Sequence, residues 1–419
     1  MRSDRYKHEQ TAEKPRKNRK ALKILILMIF LLAAANAAAL LYSYKTTLDS
    51  LDLKFTDDAP EIEFASVCKA SDYVKSSVGN VSPGAEYLDT DTLGSKTLVY
   101  TVTEPVFGGL LNPSREFTLT YNIVDTTEPL ILWNGTGSVL EKGAEFNIAD
   151  YLAYGDNADP RPALEVDGKV KTNKEGTYKL HATVTDASGN STKCDMEFEV
   201  VETLPEYVDE TESTGFRKFA KENAGEGRSF GIDVSEWQHD IDFKLVKSAG
   251  CEFVIIRIGY SDNGVVTEDS KFEENIRNAK AAGLKVGVYL YSYDNTDAEV
   301  RSSAEWVVQK LGGTALDLPV VFDWEDFVHF PEYEMNFADV NRLYDSFSSV
   351  ITDGGYESML YGSKLYLENV WQDTDTRPVW LAHYTGKTDY SGPYRIWQAS
   401  CIGKIKGIKG NVDLDIMYE

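Results

Sequence analysis

The stretch Leu318-Pro319-Val320-Val321-Phe322-Asp323-Trp324-Glu325 governs how the C-terminal half of this chain is read. An apolar run rises to two carboxylates spaced i, i+2. Successive side chains of a β-strand alternate between faces, so Asp323 and Glu325 point the same way. The apolar residues call for a buried strand and the acids for a polar cavity at its C-terminal end. A barrel enzyme seats its acids on a rigid floor in this manner. Two like charges held this close do not both ionise easily, so one pKa rises and that group serves as an acid near neutrality. An isolated D-x-E is more often a strand running out into an acidic surface turn, so the flanking sequence has to decide.

Further short apolar segments lie on either side. Gly231-Ile232-Asp233-Val234-Ser235-Glu236-Trp237-Gln238 is again a short apolar strand ending in an acid and an aromatic. Phe253–Tyr260 and Lys285–Ser292 are a second and third strand, with Asp323 and Glu325 ending the fourth. Ser358–Ser363, Val379–Tyr384, Tyr394–Gln398 and Val412–Ile416 complete the set. Between the early strands, Asp242–Ala249, Lys271–Ala282, Asp297–Leu311 and Asn336–Asp353 carry apolar residues at helical spacing, for example Phe272, Ile276 and Ala279. Strands alternating with helices predict parallel βαβ units. After Gly362 the connections no longer hold a full helix. Residues 229–419 number about 190, short of the ~250 usual for eight complete βα units. The expected fold is a modified TIM-like α/β barrel whose last helices are missing.

With those segments in order, residues 229–419 resemble the catalytic domain of glycoside hydrolase family 25, the bacterial and phage muramidases. The resemblance is carried by GIDVSEWQ, IDF with VKSAG, FVIIRIGY, the F-x-x-N of Phe272 to Asn275, and AAGLKVGVYLYS. LPVVFDWE, GGY at Gly354 to Tyr356, VWLAHY, IWQ and GNVDLD continue it to the end of the chain. It implies a modified α/β barrel that cleaves the β-1,4 bond between N-acetylmuramic acid and N-acetylglucosamine in peptidoglycan. The family's acids carry over to Asp233, Asp323, Glu325 and Asp413. Two positions depart from its pattern: Asp415 stands where the terminal V-D-L-N has an amide, and Leu290 where His is frequent.

Hydrolysis of a glycosidic bond needs an acid at the leaving oxygen and stabilisation of a cationic ring. Glu325, the longer side chain at the strand end, is expected to be the general acid/base, with Asp323 raising its pKa. If the substrate's N-acetyl group attacks the anomeric carbon, Asp323 orients and stabilises the oxazolinium. Retention is implied by the resemblance; the spacing alone leaves a carboxylate nucleophile open. Asp233 and Asp413 come from strands adjacent in a closed barrel and are expected to converge on the pocket, their other reading being rim acids satisfied by backbone. Tyr260, Tyr291, Tyr361, Trp380, Tyr384 and Trp397 fall near predicted strand C-termini, where rings stack on sugars or pack the barrel. Gln398 joins them as an expected substrate contact. Glu236 and Glu252 are read as solvated surface. The mechanism requires no metal and no cofactor.

Residues 1–21 form a basic segment expected to be cytoplasmic. Ile24 to Leu41 is free of charge, and 18 residues at ~1.5 Å each nearly cross a ~30 Å hydrocarbon core. Residues 22–44 are accordingly read as a transmembrane signal anchor contacting the lipid bilayer, with the C-terminal bulk outside by the positive-inside rule. The competing reading is secretion after signal cleavage within Ala33–Ala39. A juxtamembrane linker is placed at 45–54. Residues 55–125 and 126–203 are read as immunoglobulin-like β-sandwiches, from alternation such as Leu98–Val102, Phe117–Val124 and Gly176–Val184. Asp125-Thr126-Thr127-Glu128-Pro129 resembles the junction between bacterial immunoglobulin-like repeats, and Asp186-Ala187-Ser188-Gly189-Asn190 their late hairpin turn. These modules serve as a stalk or bind wall polymer. Residues 204–228 are expected to be a linker.

A net charge of −24 argues against a nucleic-acid partner. Four cysteines, at 68, 194, 251 and 401, give no disulfide framework, and free thiols are expected. Two functions compete: a membrane-anchored muramidase acting on peptidoglycan glycan strands, and a catalytically weak binding or scaffold protein at the cell surface. Retention of all four acids favours the enzyme.

Overall fold

In the computed structural model, which describes residues 19–205 and 213–418, eight strands form a closed ring. They are β1 (Arg228–Val234), β2 (Phe253–Asp262), β3 (Lys285–Ser292), β4 (Val320–Asp323), β5 (Ser358–Ser363), β6 (Val379–Ala382), β7 (Ile396–Lys404) and β8 (Val412–Tyr418). Neighbours from β1 through β7 pair in parallel. β8 closes the ring antiparallel to both β1 and β7, which departs from the parallel units expected from sequence. The short connection from β7 to β8 holds no helix to carry the chain back, so the direction of β8 reverses.

The continuous apolar runs follow from burial on both faces. Phe253 and Ile255 of β2 face the barrel interior with Val321, Met359, Trp380 and Ile396, whereas Val254, Ile256 and Ile258 meet the helices outside. Four helices cover that outer face: Phe243–Ser248, Phe272–Ala281, Asp297–Leu311 and Phe337–Asp353. Their starts are fixed locally. Asp242 accepts from the Leu245 N–H, and Thr296 with Glu299 and Asn336 with Asp339 form capping boxes. After β5 the described residues hold one short helix, Lys364–Asn369, and β6 to β8 follow without any.

The barrel unit begins earlier than expected. Within the supposed linker, Thr214–Gly215 adds in parallel to β7, and the helix Phe216–Glu222 buries Phe216 and Phe219 in the barrel's outer core. Two aromatics spaced i, i+3 give that segment an apolar stripe that solvent would not tolerate. Residues 206–212 of the linker lie outside the described residues, as do residues 1–18 of the basic segment. At the N-terminus an apolar helix runs Arg19–Ser50, through most of the stretch read as a juxtamembrane linker, and Asp52–Phe55 beyond it is a strand. The helix is long and apolar enough to cross a membrane, a test that a signal sequence also passes.

The chain divides into two compact units, Met1–Val124 and Asp125–Glu419. In the first, a four-stranded sheet (Glu61–Glu63, Ser114–Val124, Gly94–Thr103, Asn80–Pro83) accompanies the pair Asp52–Phe55 and Val74–Val78. The buried Tyr100 hydroxyl donates to the Ala70 carbonyl at 2.8 Å. In the second unit a β-module precedes the barrel. Its four-stranded sheet (Ala163–Gly168, Gly176–Thr185, Ser191–Val201, Val139–Glu141) accompanies the pair Leu130–Asn134 and Leu152–Gly155 around Leu140, Leu180, Met196 and Phe198.

This module packs directly on the barrel. Leu132 and Ala153 enter the same apolar cluster as the barrel's helix layer. The Phe337 N–H donates to the Asp156 carbonyl at 2.8 Å, and the Asn336 amide to the Ala158 carbonyl at 3.0 Å. Gly155 makes the approach possible, because a Cβ there would meet the Phe330 and Phe337 rings at 2.6 Å. Gly155→Ala is therefore expected to lower stability by about 1–3 kcal/mol, the usual scale for overpacking. Urea unfolding of the full chain measures this, and an unchanged midpoint would contradict so tight a contact.

Candidate active site

Alternation along β4 builds the site. Val320 and Phe322 face the helix layer with Trp324, which is fully buried and donates from Nε1 to the Asp294 carbonyl at 2.9 Å. Val321 faces the barrel interior, and Asp323 and Glu325 continue that face into a cavity of about 270 Å³ at the barrel mouth. Asp233, Asp413, Tyr291, Tyr361, Trp380, Tyr384 and Gln398 also line it. A larger depression beside Asp240, Lys244 and Lys409 gathers no comparable set of convergent acids.

Two expected contacts fall elsewhere. Trp397 points away from the interior, joins the outer cluster and donates to the His383 carbonyl at 2.9 Å. Its neighbours Ile396 and Gln398 take the inner face instead, as the pleat requires. Tyr260 lies beyond a register shift between Arg257 and Gly259 and is outside the cavity lining.

Several lining residues escaped the sequence reading: Ser235, Trp237, Gln238, Arg257 and Tyr289. Their signals were present. Trp237 stands 71% exposed at the rim, where an aromatic ring next to a strand-end acid has little structural reason to be. Tyr289 shares a face with Tyr291 by i, i+2 spacing. Arg257 is a lone cation within the apolar run of β2. Glu236, read as solvated surface, instead accepts from Arg257 Nη2 at 3.0 Å, while the buried Asp269 accepts from Arg257 Nε at 2.8 Å. The guanidinium is thereby held beside the cavity, and its charge opposes the rise in the Asp323 pKa.

Two groups of acids share this mouth. Asp323 is buried, with Oδ1 lacking a hydrogen-bond partner, and Glu325 is more open. Burial raises the Glu325 pKa to about 7. Burial and then the Glu325 charge push Asp323 well above the usual carboxylate range. The pair therefore titrates jointly and keeps a proton near neutrality.

Ring closure creates the second group by setting Asp233 on β1 directly opposite Asp413 on β8. Burial lifts Asp413 to about 6, and burial with the charges of Asp413 and Asp415 raises Asp233 well above the usual carboxylate range. Gln398 is oriented by its neighbours. The Tyr361 and Tyr384 hydroxyls donate to its Oε1 at 2.8 and 3.0 Å, and its Nε2 donates to Asp233 Oδ2 at 2.8 Å. Below them Asp415 is fully buried; its Oδ1 accepts from Trp380 Nε1 at 3.0 Å and its Oδ2 has no hydrogen-bond partner. The described cysteines are all free thiols, with Cys251 buried and pushed up to about 12.

A barrel with paired strand-end acids in a polar, aromatic-lined cavity is the architecture of a carbohydrate-cleaving enzyme domain. Residues 232–408 match the model of glycosyl hydrolases family 25, and residues 133–200 that of the bacterial surface protein Ig-like domain. The barrel is a family 25 glycosyl hydrolase domain, and the module packed on it is a bacterial surface Ig-like domain. The chain is 28% identical over 191 residues to an autolytic lysozyme of Clostridium acetobutylicum, across 45% of this chain and 56% of that protein. It is 29% identical over 203 residues to lysozyme M1 of Streptomyces globisporus, across 44% of this chain and 65% of that protein. The chain thus spans less than two thirds of either relative. A bacterial lysozyme structure from Streptomyces coelicolor aligns at 25% identity with a TM-score of 0.39, covering 46% of this chain and 92% of that one.

Asp415 offers a test of these electrostatics. Its folded pKa is raised well above the ordinary value, chiefly by burial, so its stabilising balance is best at low pH and is lost as pH rises through that pKa. Asp415→Asn keeps an acceptor for Trp380 and removes the buried charge. The substitution is expected to add about 1–3 kcal/mol at pH 8 and little at pH 4. Urea unfolding at the two pH values measures it, and a loss of stability at pH 8 would contradict the reading.

Proposed function

We propose that the chain is a membrane-anchored extracellular muramidase that hydrolyses the β-1,4 bond between N-acetylmuramic acid and N-acetylglucosamine in peptidoglycan. The observation that carries this reading is the Asp323–Glu325 pair on one face of the barrel mouth, with Glu325 lifted to about 7 by burial. An acid tuned to that range is protonated below neutrality and still releases its proton readily. The family 25 domain and the lysozyme relatives support the substrate class.

In the proposed reaction Glu325 delivers its proton to the glycosidic oxygen as the bond from C1 breaks. The substrate's acetamido oxygen attacks C1, giving an oxazolinium and overall retention after water opens it. The Glu325 carboxylate takes the proton of that water. Asp323 is 6% exposed, which favours support of the cationic acetamido group over attack on C1. Arg257 works against the rise in the Asp323 pKa, the proton is shared by the pair, and Glu325, the longer and more open side chain, is the one placed to deliver it. Asp233 and Asp413, with Tyr384, Trp237 and Gln398, hold the flanking sugars by hydrogen bonding and stacking. The apolar helix Arg19–Ser50 supports tethering to the bilayer, with the β-modules as a stalk.

Membranes from cells producing the full chain should release muramic acid reducing ends from purified peptidoglycan. Turnover should fall as pH rises through about 7, because the required form of Glu325 is the protonated one. Glu325→Gln should lose ~10²–10⁴-fold and Asp323→Asn a comparable amount, the alkaline limb persisting only in the latter. Release by Glu325→Gln at the wild-type rate would refute the assignment of the acid. Glycan binding without release would favour the scaffold reading. Activity confined to the medium on a shortened N-terminus would replace the anchor by a cleaved signal and leave the chemistry standing.

A further inference from the structure

Outside the cavity, the second compact unit gathers three aspartates in its Ig-like part: Asp125, Asp156 and Asp186, each with a carboxylate oxygen within 4.8 Å of the others. All three are buried, at 8%, 0% and 6% exposure. One oxygen of each is engaged by the local turn. Asp125 Oδ1 accepts from the Thr127 N–H at 3.3 Å. Asp156 Oδ1 accepts from Ala158 and Asp159 at 2.9 and 2.7 Å, and Asp186 Oδ1 from Gly189 and Asn190 at 2.6 and 2.8 Å. Asp186 Oδ2 takes the Asn190 amide at 2.8 Å. The remaining oxygens, Asp125 Oδ2 and Asp156 Oδ2, are buried with no hydrogen-bond partner. Among the described residues no Lys or Arg forms an ion pair with any of the three. Burial, followed by the charges of Asp125 and Asp186, raises Asp156 to about 6.

A buried carboxylate oxygen without a donor is a costly arrangement, and two of them facing a third acid need a positive charge. We propose that Asp125, Asp156 and Asp186 bind one calcium ion, which locks the Ig-like module to the catalytic barrel. The ligand class follows from the donors: all are hard oxygens, and turns tolerate the irregular six- to eight-fold coordination that calcium accepts and magnesium does not. Coupling to the barrel follows from position. The Asp156 carbonyl receives the Phe337 N–H, Ala158 receives the Asn336 amide, and the adjacent Gly155 packs on Phe330 and Phe337. Those barrel residues belong to the segment that follows Glu325. An ion holding the turn at Asp156 would hold the docking surface with it.

The test uses the full chain in detergent, treated with chelator and then titrated with calcium chloride by calorimetry. One saturable site per chain is expected, with magnesium chloride binding at least about 10-fold more weakly, and the thermal midpoint should rise by about 5 °C or more at saturation. Asp156→Asn and Asp186→Asn should abolish both effects. The chelated Asp156→Asn protein should melt no lower than chelated wild type, since its amide oxygen still accepts from Ala158 and Asp159 and a repulsive charge is gone. Absence of a saturable site in wild type, uptake that persists in both variants, or equal affinity for magnesium would each overturn the proposal. If either variant fails to fold, the wild-type titration decides.

Discussion

Strand β4 is buried on both faces, and that double burial is the constraint on which the rest depends. Its outer residues lock into the helix layer through Phe322 and Trp324, whose ring packs edge-on against Phe327 at 4.9 Å. With one side chain fixed outward, the pleat leaves its neighbours no choice but the interior. Asp323 and Glu325 are therefore aimed into the mouth by the packing of residues that never touch it. A one-residue slip would exchange Trp324 for the two acids, exposing a large ring and burying charge against helices.

The same closure that makes the barrel also concentrates negative charge. Asp233 and Asp413 face each other only because β8 returns antiparallel between β1 and β7. Like charges in register weaken a sheet, and burial adds to the cost. Part of it is offset by protonation and part by the Gln398 amide, which the Tyr361 and Tyr384 hydroxyls turn toward Asp233. On the neighbouring strand β2, Arg257, braced by Glu236 and Asp269, supplies the only positive charge lining the cavity among the described residues. Both groups of acids thus hold protons more tightly than free carboxylates, and the Arg257 charge works against that rise at Asp323. In the same compact unit, the Ig-like module presses on the helix layer just after Glu325, so its docking bears on the segment that supports the acids.

Much of this was legible in the chain. The apolar run of LPVVFDWE with its two acids at i, i+2 and the period-3.6 spacing in the four outer helices are local signals, and the structure follows them closely. The antiparallel return of β8 was not legible, because a strand's direction depends on partners far away in sequence. Trp397 was misread for a related reason: an aromatic near a strand end serves the cavity or the outer core according to parity, and Ile396 and Gln398 already claimed the inside. The helix Phe216–Glu222 was hidden by acidic and glycine-containing flanks, although Phe216 and Phe219 carried its apolar stripe. Asp125, Asp156 and Asp186 stand in three separate turns, and only the folded module brings them together.

The chemistry of the barrel mouth depends on the proton that burial leaves on the β4 pair. The most direct measurement is the titration of the Glu325 carboxyl in the full chain, followed by carbon NMR of selectively labelled glutamate with Glu325→Gln to assign the signal. A midpoint near 7, moving when Asp323 is changed to Asn, is the predicted result. A midpoint near 4.5, the ordinary value for glutamate, would mean that no proton is held there at neutral pH and would contradict the central claim.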